Sequence, residues 1–152
     1  MMQWEPSERY DVVYFGDMLG VAQDRRAVLE RVHRWLRPGG ALTITDIVAG
    51  PDLSDEDRAF IWGEDGFDVP FEVDSLAQIR NAGFGELEVS DLTHTVVTMQ
   101  ETILQASHQH KTTLVDAVGA GSWLEWVETA RHYGRLFAER KLVSLRIGTR
   151  RA

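Results

Sequence analysis

The feature that most constrains the fold is a strand, helix and strand pattern that begins at Tyr10 and ends at Asp46. Asp11 to Phe15 is a short, nearly continuous apolar run, which is typical of a strand buried on both faces of a parallel sheet. Apolar residues then recur at helical spacing: Val28, Leu29, Val32, Trp35 and Leu36. Pro38-Gly39-Gly40 is predicted to end this helix, and Ala41 to Ile47 is predicted to be the second strand. The segment therefore predicts one βαβ unit with a right-handed connection.

The segment from Val48 to Val73 is predicted to be an irregular, acidic loop that acts as a lid. A loop this long inside a compact domain is usually functional or mobile. Its aromatic residues are candidates for covering a substrate: Trp62, Phe67 and Phe71. Asp74 and Ser75 are then predicted to begin a short helix that Gly83 ends, and Gly85 to Leu92 alternates as a strand.

Two helices and a final strand complete the predicted order. Ser/Thr-x-x-Glu capping boxes at Thr98 and Ser122 are predicted to start the helices, and a break in the first is possible near its His/Lys/Thr segment. Trp123 and Trp126 belong to a periodic apolar stripe and are predicted to be core residues. Leu142 to Ile147 is predicted to be the last strand.

The composition limits the classes of function. The 152 residues fit one domain with one core, and 43% hydrophobic residues are ordinary for a soluble protein. The net charge of −8 argues against non-specific binding to nucleic acids or anionic membranes. No cysteine is present, which excludes disulfides and thiolate metal sites. Because neither a signal peptide nor an apolar run of about 18 residues is found, we expect a cytoplasmic protein.

The charges are unevenly distributed along the chain. Asp46 to Asp74 holds ten acids and one base, whereas Arg131 to Ala152 holds seven bases and one acid. Both segments fit solvated faces, and both also fit complementary surfaces for a partner or substrate.

The motifs form an ordered set: YDVV at residues 10–13, RWLRPGG at 34–40, TD at 45–46, AGF at 82–84 and DLT at 91–93. The set resembles class I S-adenosylmethionine-dependent methyltransferases. The segments GDMLGVAQDRRAVL, TDIVAGPDLSDEDRA and SLAQIRNAGFGELEVSDLT are similar to the glycine/sarcosine/dimethylglycine methyltransferases. The resemblance covers residues 9–150. It implies an α/β fold that is the C-terminal half of a Rossmann-like methyltransferase sheet: strands four to seven, the last strand antiparallel, with flanking helices.

Two features depart from the family pattern. The family sheet has the order 3-2-1-4-5-7-6, and its first three strands and Gly-rich loop have no counterpart in this sequence. A histidine of the family loop is replaced by Val21, so its role is not carried over. The resemblance therefore implies a half-domain that lacks most of the residues that bind the cofactor in the family.

Strand four of such a half would expose an apolar edge with unpaired backbone groups, which is an aggregation hazard. We expect this edge to be covered. The alternatives are a second polypeptide that supplies the N-terminal methyltransferase half, self-association with another copy, or a sequence that is a fragment.

Ligands of open parallel sheets bind at the carboxyl ends of the strands, where the strand order reverses. The resemblance implies S-adenosylmethionine as cofactor, bound mainly by the missing half, with Gly16, Asp17 and Met18 at its methionine end. The candidate substrate contacts are Leu19, Asp46, Trp62, Phe67 and Phe71. The alternatives remain open, since Asp17 also fits a plain turn and Asp46 also fits a cap of the following segment.

Methyl transfer requires alignment of the reacting atoms, exclusion of water and sometimes a base. The candidate bases are His94, His108 and His110, each of which also fits a surface or capping role. His108 and His110 lie two residues apart and would face different sides of a helix, so no metal site is predicted.

Two functions from different classes follow. The first is one subunit of a split, heteromeric methyltransferase acting on a small molecule, in which this chain supplies the substrate lid and one wall of the cofactor pocket. The second is a methyltransferase-derived protein without methyl transfer, such as a scaffold, a regulatory subunit, or a small-molecule-binding or cyclising protein.

Overall fold

The computed structural model describes residues 6–22, 24–66 and 68–151. Four strands and six helices are defined in these residues. They are, in chain order, β1 (Tyr10–Gly16), α1 (Arg25–Trp35), β2 (Leu36–Ala49), α2 (Asp55–Asp65), α3 (Glu72–Asn81), β3 (Glu88–Asp91), α4 (Thr93–Gln109), α5 (Lys111–Val118), α6 (Ala120–Ala138) and β4 (Leu142–Arg150).

The strands form one sheet in the order β1-β2-β4-β3. β1 pairs with β2 in parallel, and β4 is antiparallel to both β2 and β3. Numbered as strands four to seven, this is the order 4-5-7-6 with an antiparallel last strand. The fold class predicted from the sequence is therefore confirmed.

The predicted helix between the first two strands is confirmed, but its end differs from the prediction. Asp24 caps α1, since its Oδ1 accepts a hydrogen bond from the Ala27 N–H at 2.9 Å. The Pro38-Gly39-Gly40 segment is not a separate turn. It lies within β2 as an irregularity, because the register jumps from Leu36 opposite Tyr10 to Ala41 opposite Val12. Gly39 takes a left-handed φ of 76°, which glycine adopts without strain.

The prediction of an irregular loop from Val48 to Val73 was wrong. Most of that segment is helical, because α2 occupies residues 55–65 and α3 begins at Glu72. Ser54 and Asp57 form a capping box that starts α2, with Ser54 Oγ accepting from the Asp57 N–H. The box carries Asp in place of the usual Glu or Gln, so the sequence pattern was easily missed.

The predicted capping boxes at Thr98 and Ser122 were also wrong. Both residues lie inside helices, since α4 begins at Thr93 and α6 begins at Ala120. Thr98 Oγ1 instead donates a hydrogen bond to the His94 carbonyl one turn earlier. The expected break in the first helix is confirmed at residue 110, which separates α4 from α5.

Two hydrophobic clusters hold these elements together. The larger lies between the sheet and α1 and α3, and includes Leu29, Val32, Ile44, Ile79 and Ile147. The smaller joins α2 and α6 to the ends of β2 and β4, around Ile61, Leu136 and Leu142. Trp123 is buried as predicted, but Trp126 is 43% exposed, so its assignment to the core was wrong.

The two faces of the sheet differ in burial. Along β2, Leu42, Ile44 and Val48 are buried on the face that α1 and α3 cover, while the alternate residues Thr43 and Thr45 are only half-buried. β1 lies at one edge, where Val12 is 63% and Tyr14 is 66% exposed. In the described residues, β2 is the only strand that pairs with β1.

Candidate functional site

The carboxyl ends of β1 and β2 lie side by side, as the sequence predicted for a ligand site. Asp17 follows β1 in a left-handed conformation with φ of 50°, and its N–H donates to the Thr45 carbonyl at 3.0 Å. Aspartate tolerates this conformation better than most residues, but a non-glycine residue held there often marks a functional position. Asp17 and Asp46 line one small recess together with Gly20 and Ile47.

Asp46 is the centre of a buried polar network at the end of β2. Its Oδ2 accepts from Arg25 Nη2 at 2.6 Å and from Ser75 Oγ at 2.7 Å. Arg25 Nη2 also reaches Ser75 Oγ at 3.1 Å, and Arg25 Nε donates to Gln78 Oε1 at 3.0 Å. Asp46 therefore does not cap the following segment. It joins the first residue of α1 and the inner side of α3 to the sheet.

Sequence reasoning missed the partners of Asp46. Arg25 stands directly after the α1 cap in the run of two arginines, and its side chain is mostly buried. Removing one partner of a buried ion pair strongly destabilises a protein, because the other charge is left buried without a partner. The position of Arg25 at a helix start near a strand-end acid was the available signal, but the contact depends on the placement of α3, which the sequence did not give.

A cleft of about 720 Å³ opens beside this network. The loop after β1, the start of α1 and the end of α2 form its walls. Its lining includes Val21, Asp24, Arg25, Trp62, Asp68 and Gln78. Trp62 is 61% exposed, although its neighbour Ile61 is completely buried. The α2 helix thus buries one side and presents an indole to the cleft with the other.

A second cleft of about 680 Å³ adjoins the first, since Asp68, Pro70 and Gln78 line both. Phe71 lies in this second cleft and is 48% exposed. The guanidinium carbon of Arg58 lies 5.0 Å from the Phe71 ring centroid, and Arg58 Nη1 donates to the Val69 carbonyl at 2.7 Å. Trp62 and Phe71 therefore line two neighbouring clefts, and their covering of a substrate stays a prediction.

Other predicted site residues lie in different surroundings. Met18 is exposed beside Asp17, whereas Leu19 is 1% exposed and packs in the larger hydrophobic cluster. Gly16 lies under the Tyr14 ring, since a Cβ there would meet the Tyr14 hydroxyl at 2.8 Å. Phe67 lies outside the described residues.

The three candidate histidines are exposed and lie on or next to α4, with none of them lining the clefts described above. His108 Nε2 lies 3.2 Å from Arg131 Nη2. The ring centroids of His108 and Trp123 lie 5.5 Å apart in an edge-on arrangement. His110 separates α4 from α5. The described residues contain no group of three or more side chains that is suited to a metal ion.

The start of α2 is fixed to the sheet by a charged cluster. Lys141 Nζ donates to Asp57 Oδ2 at 3.0 Å. The rings of His132 and Phe60 stack with their centroids 4.0 Å apart. Burial opposes the ionisation of Asp57, but hydrogen bonds from Ser54 and Lys141 outweigh it and lower the pKa of this carboxyl. The helix that carries Trp62 is therefore anchored at its N-terminal end.

At the other side of the sheet, hydrogen bonds from Thr93 and Arg140 lower the pKa of Asp91 to about 2. Arg140 Nη2 lies 2.7 Å from Asp91 Oδ2, and the pair is partly exposed. This cluster stabilises the connection between β3 and α4 and is separate from the clefts.

Comparison with known proteins agrees with this geometry. A family profile described as a methyltransferase domain matches residues 3–44. Phosphoethanolamine N-methyltransferase 3 of Arabidopsis thaliana is 32% identical over 107 residues, which are 70% of this chain and 22% of that protein. The chain spans about a fifth of the length of the curated relatives it matches.

Solved structures give the same fold. Haemonchus contortus phosphoethanolamine N-methyltransferase 2, in complex with phosphomonomethylethanolamine and S-adenosylhomocysteine, matches with a TM-score of 0.85 and 17% identity, over 93% of this chain and 33% of that chain. A Galdieria sulphuraria protein provisionally identified as a sarcosine dimethylglycine methyltransferase matches with a TM-score of 0.85 and 14% identity, over 95% of this chain and 54% of that chain.

The sheet order and these matches define the class of protein as a methyltransferase-type α/β fold. The chain has the fold of the class I S-adenosylmethionine-dependent methyltransferases, and its four strands correspond to the C-terminal half of that fold. Its relatives include the phosphoethanolamine N-methyltransferases. No described helix is long and apolar enough to cross a membrane.

Proposed function

We propose that this chain is one subunit of a split, heteromeric methyltransferase that acts on a small molecule. A second polypeptide supplies the N-terminal half of the domain and pairs with the free edge of β1. The observation that carries the proposal is this edge, which exposes Val12 and Tyr14 beside the candidate ligand site. A seven-residue edge strand that exposes Val12 and Tyr14 favours pairing with another strand.

The cofactor of the assembled enzyme is S-adenosylmethionine, which donates the methyl group when bound. The residues of this chain fit one wall of its pocket. Asp17 presents a carboxylate at the carboxyl end of β1. Asp46 is paired with Arg25, whereas Asp17 forms no ion pair with the residues that the structure describes. A free carboxylate suits the cationic groups at the methionine end of the cofactor. The contacts to the adenosine come from the partner.

The substrate lies in the two adjoining clefts, under the indole of Trp62 and the ring of Phe71. These aromatic side chains exclude water and orient the substrate, which is what a displacement reaction requires. The relatives are named for N-methylation of phosphoethanolamine, and we extend this to a small amine substrate for the present chain. The cleft offers an ammonium ion the exposed indole of Trp62, since an aromatic ring face attracts a cation.

The test is a comparison of the isolated chain with its natural complex. The tagged chain is purified from its host with its partner, and methyl transfer from labelled S-adenosylmethionine to a panel of small amines is measured. We expect transfer by the complex and no micromolar binding of S-adenosylmethionine by the isolated chain in calorimetry. Micromolar binding by the isolated chain would contradict the split enzyme.

The alternative is a methyltransferase-derived protein without methyl transfer. The same preparation separates the two functions. A complex that binds the cofactor but methylates none of the amines, nor any other small molecule from a host metabolite extract, would favour the alternative.

A further inference from the structure

The side chain of Gln78, on α3, is part of the buried network around Asp46. Ser75 and Gln78 stand three residues apart and therefore share one side of the helix. Both accept hydrogen bonds from Arg25 at the start of α1, since Arg25 Nη2 lies 3.1 Å from Ser75 Oγ and Arg25 Nε lies 3.0 Å from Gln78 Oε1. Ser75 and Ile79 are completely buried, so the backbone that carries Gln78 is held in place.

The contact with Arg25 decides which way the Gln78 amide points. A guanidinium has N–H donors and no acceptor, so the amide atom that faces it is the carbonyl oxygen. The amino group then points away from Arg25, and within the described residues it donates no hydrogen bond. Because Gln78 lines both adjoining clefts, its amino group offers N–H donors to a ligand where the two clefts meet.

This orientation of the amide is fixed. Arg25 Nη2 also donates to Asp46 Oδ2 at 2.6 Å, and Asp46 is 1% exposed, so the guanidinium cannot turn away without leaving a buried carboxylate unpaired. A flipped amide would place its amino group against the N–H of Arg25 Nε, and two donors would face each other without an acceptor. Arg25 is therefore a positioning residue for the Gln78 amino group.

The charges that line the clefts limit the kind of acceptor that fits there. Four aspartates and three arginines line the two clefts. Each arginine is already in an ion pair: Arg25 with Asp46, Arg26 with Glu30, and Arg58 with Asp68. A phosphate or carboxylate in the clefts would lose water without gaining an unpaired cation, which is unfavourable. A neutral oxygen such as a hydroxyl has a much smaller cost of desolvation.

We propose that Gln78 is a specificity-determining residue that donates an amide N–H to a neutral hydroxyl oxygen of the substrate, so that the substrate is a small amino alcohol. This inference rests on the proposed function, which places the substrate amine against the indole of Trp62. Trp62 and Gln78 line the same cleft. One end of the substrate thus carries the charge, and the other end is recognised by a hydrogen bond.

The inference separates this chain from its relatives. They are named for phosphoethanolamine, which carries a phosphate where an amino alcohol carries a hydroxyl. The cleft lining of this chain suits the hydroxyl, because the arginines that line it are paired within the chain.

The test measures kcat/KM of the natural complex for three amines. Ethanolamine carries the hydroxyl, propylamine carries a methyl group in its place, and phosphoethanolamine carries the phosphate. We expect ethanolamine to be preferred over propylamine by about three- to ten-fold, the range of one neutral hydrogen bond. Phosphoethanolamine should be poorer than ethanolamine by about ten-fold or more, because its phosphate finds no unpaired cation.

The variant Gln78→Met removes the donor. The preference for ethanolamine over propylamine should fall by about three-fold or more, whereas a merely structural change would lower both values equally and leave their ratio unchanged. The control is Gln105→Met, the same substitution at an exposed position of α4, which should keep the ratio of the wild type. An unchanged ratio in Gln78→Met would overturn the role of Gln78.

The variant Gln78→Glu tests the direction of the hydrogen bond and keeps an oxygen acceptor for Arg25 Nε. Its carboxylate only accepts, so it cannot donate to an ether oxygen. The preference of the wild type for methoxyethylamine over butylamine should therefore disappear in Gln78→Glu. A preference that persists would show that the Gln78 amino group is not the donor.

The remaining outcomes separate this inference from the proposed function. Transfer to phosphoethanolamine as fast as to ethanolamine would leave the proposed function standing and overturn the amino alcohol. Transfer to none of these amines would overturn the inference together with the amine substrate of the proposed function.

Discussion

The two edges of the sheet differ in strand length and in how much apolar surface they expose. β3 is four residues long, carries Glu88 and Asp91, and is fixed by the ion pair between Asp91 and Arg140. β1 is seven residues long and exposes Val12 and Tyr14. Short, charged edge strands resist pairing with other chains, whereas long apolar ones favour it.

Under the proposed function, the β1 edge pairs with a strand of another polypeptide and the β3 edge does not. The short, charged β3 edge disfavours pairing with a further strand. The β1 edge lies beside Asp17, Asp46 and the cleft lined by Trp62, so the edge where we propose that a second polypeptide pairs adjoins the proposed ligand site. The predictions below compare matched changes on these two sides.

The largest effect is expected from a charge on β1. Val13 packs against the larger hydrophobic cluster, and Val13→Lys should abolish the assembly or give insoluble protein, because the ammonium group would enter a packed layer. Recovery of soluble complex by size-exclusion chromatography measures this. The matched control is Val89→Lys on β3, where the side chain is 40% exposed and the change should be tolerated. Equal recovery of soluble complex for the two variants would show that the β1 and β3 edges do not differ in their role in assembly.

The next effect compares two ion pairs. Asp46→Asn leaves Arg25 charged and buried, and should lower the free energy of unfolding of the complex by about 3–5 kcal/mol. Asp91→Asn breaks a partly exposed pair and should cost less than about 1 kcal/mol. Denaturant titration of both variants measures the difference. If Asp46→Asn lowers the free energy of unfolding as little as Asp91→Asn does, the network around Asp46 does not stabilise the fold.

A change at the cleft should affect activity more than stability. Trp62→Ala is expected to lower methyl transfer about ten-fold or more while the melting temperature stays nearly constant, because the indole is mostly exposed. Its buried neighbour provides the control, since Ile61→Ala should instead destabilise the protein by about 2–5 kcal/mol. Parallel activity assays and thermal melts distinguish them. If the melting temperature falls equally in both variants, Trp62 stabilises the fold and the prediction of a role limited to activity is wrong.

The smallest expected effect is the pH dependence of the stability that Asp91 contributes at the β3 edge. The folded pKa of Asp91, about 2, lies below its unfolded value of about 3.9, so its stabilisation is complete above about pH 4. It is lost as the pH falls from about 4 to about 2. The small difference in melting temperature between the wild type and Asp91→Asn should therefore shrink across this range. A difference that is unchanged at pH 2.5 would contradict the assignment.

Much of the fold was predictable because local pattern and long-range packing agree. The apolar run in β1 and the helical spacing of apolar residues in α1 each indicate the element that is observed. The resemblance of the motifs to the methyltransferase family then implied the strand order, which the sheet order β1-β2-β4-β3 matches. Errors arose where tertiary contacts override a local pattern. Thr98 and Ser122 match a capping box, yet packing continues each helix past them toward its N-terminus.

The candidate site was predictable in position but not in its contacts. The rule for parallel sheets located Asp17 and Asp46 at neighbouring strand ends. The partner of Asp46 was not predictable, because Arg25, Ser75 and Gln78 meet only after α3 packs against α1. Likewise, Leu19 follows β1 in the sequence with no sign that its side chain turns into the core.

The most direct test of the account is amide hydrogen exchange of β1 in the natural complex and in the isolated chain. Strand pairing protects backbone amides, so exchange within residues 10–16 should slow at least ten-fold in the complex, while exchange within residues 88–91 of β3 stays the same. Slower exchange confined to β1 is the result we predict. Unchanged exchange in β1 within an active complex would contradict completion of the sheet at this edge.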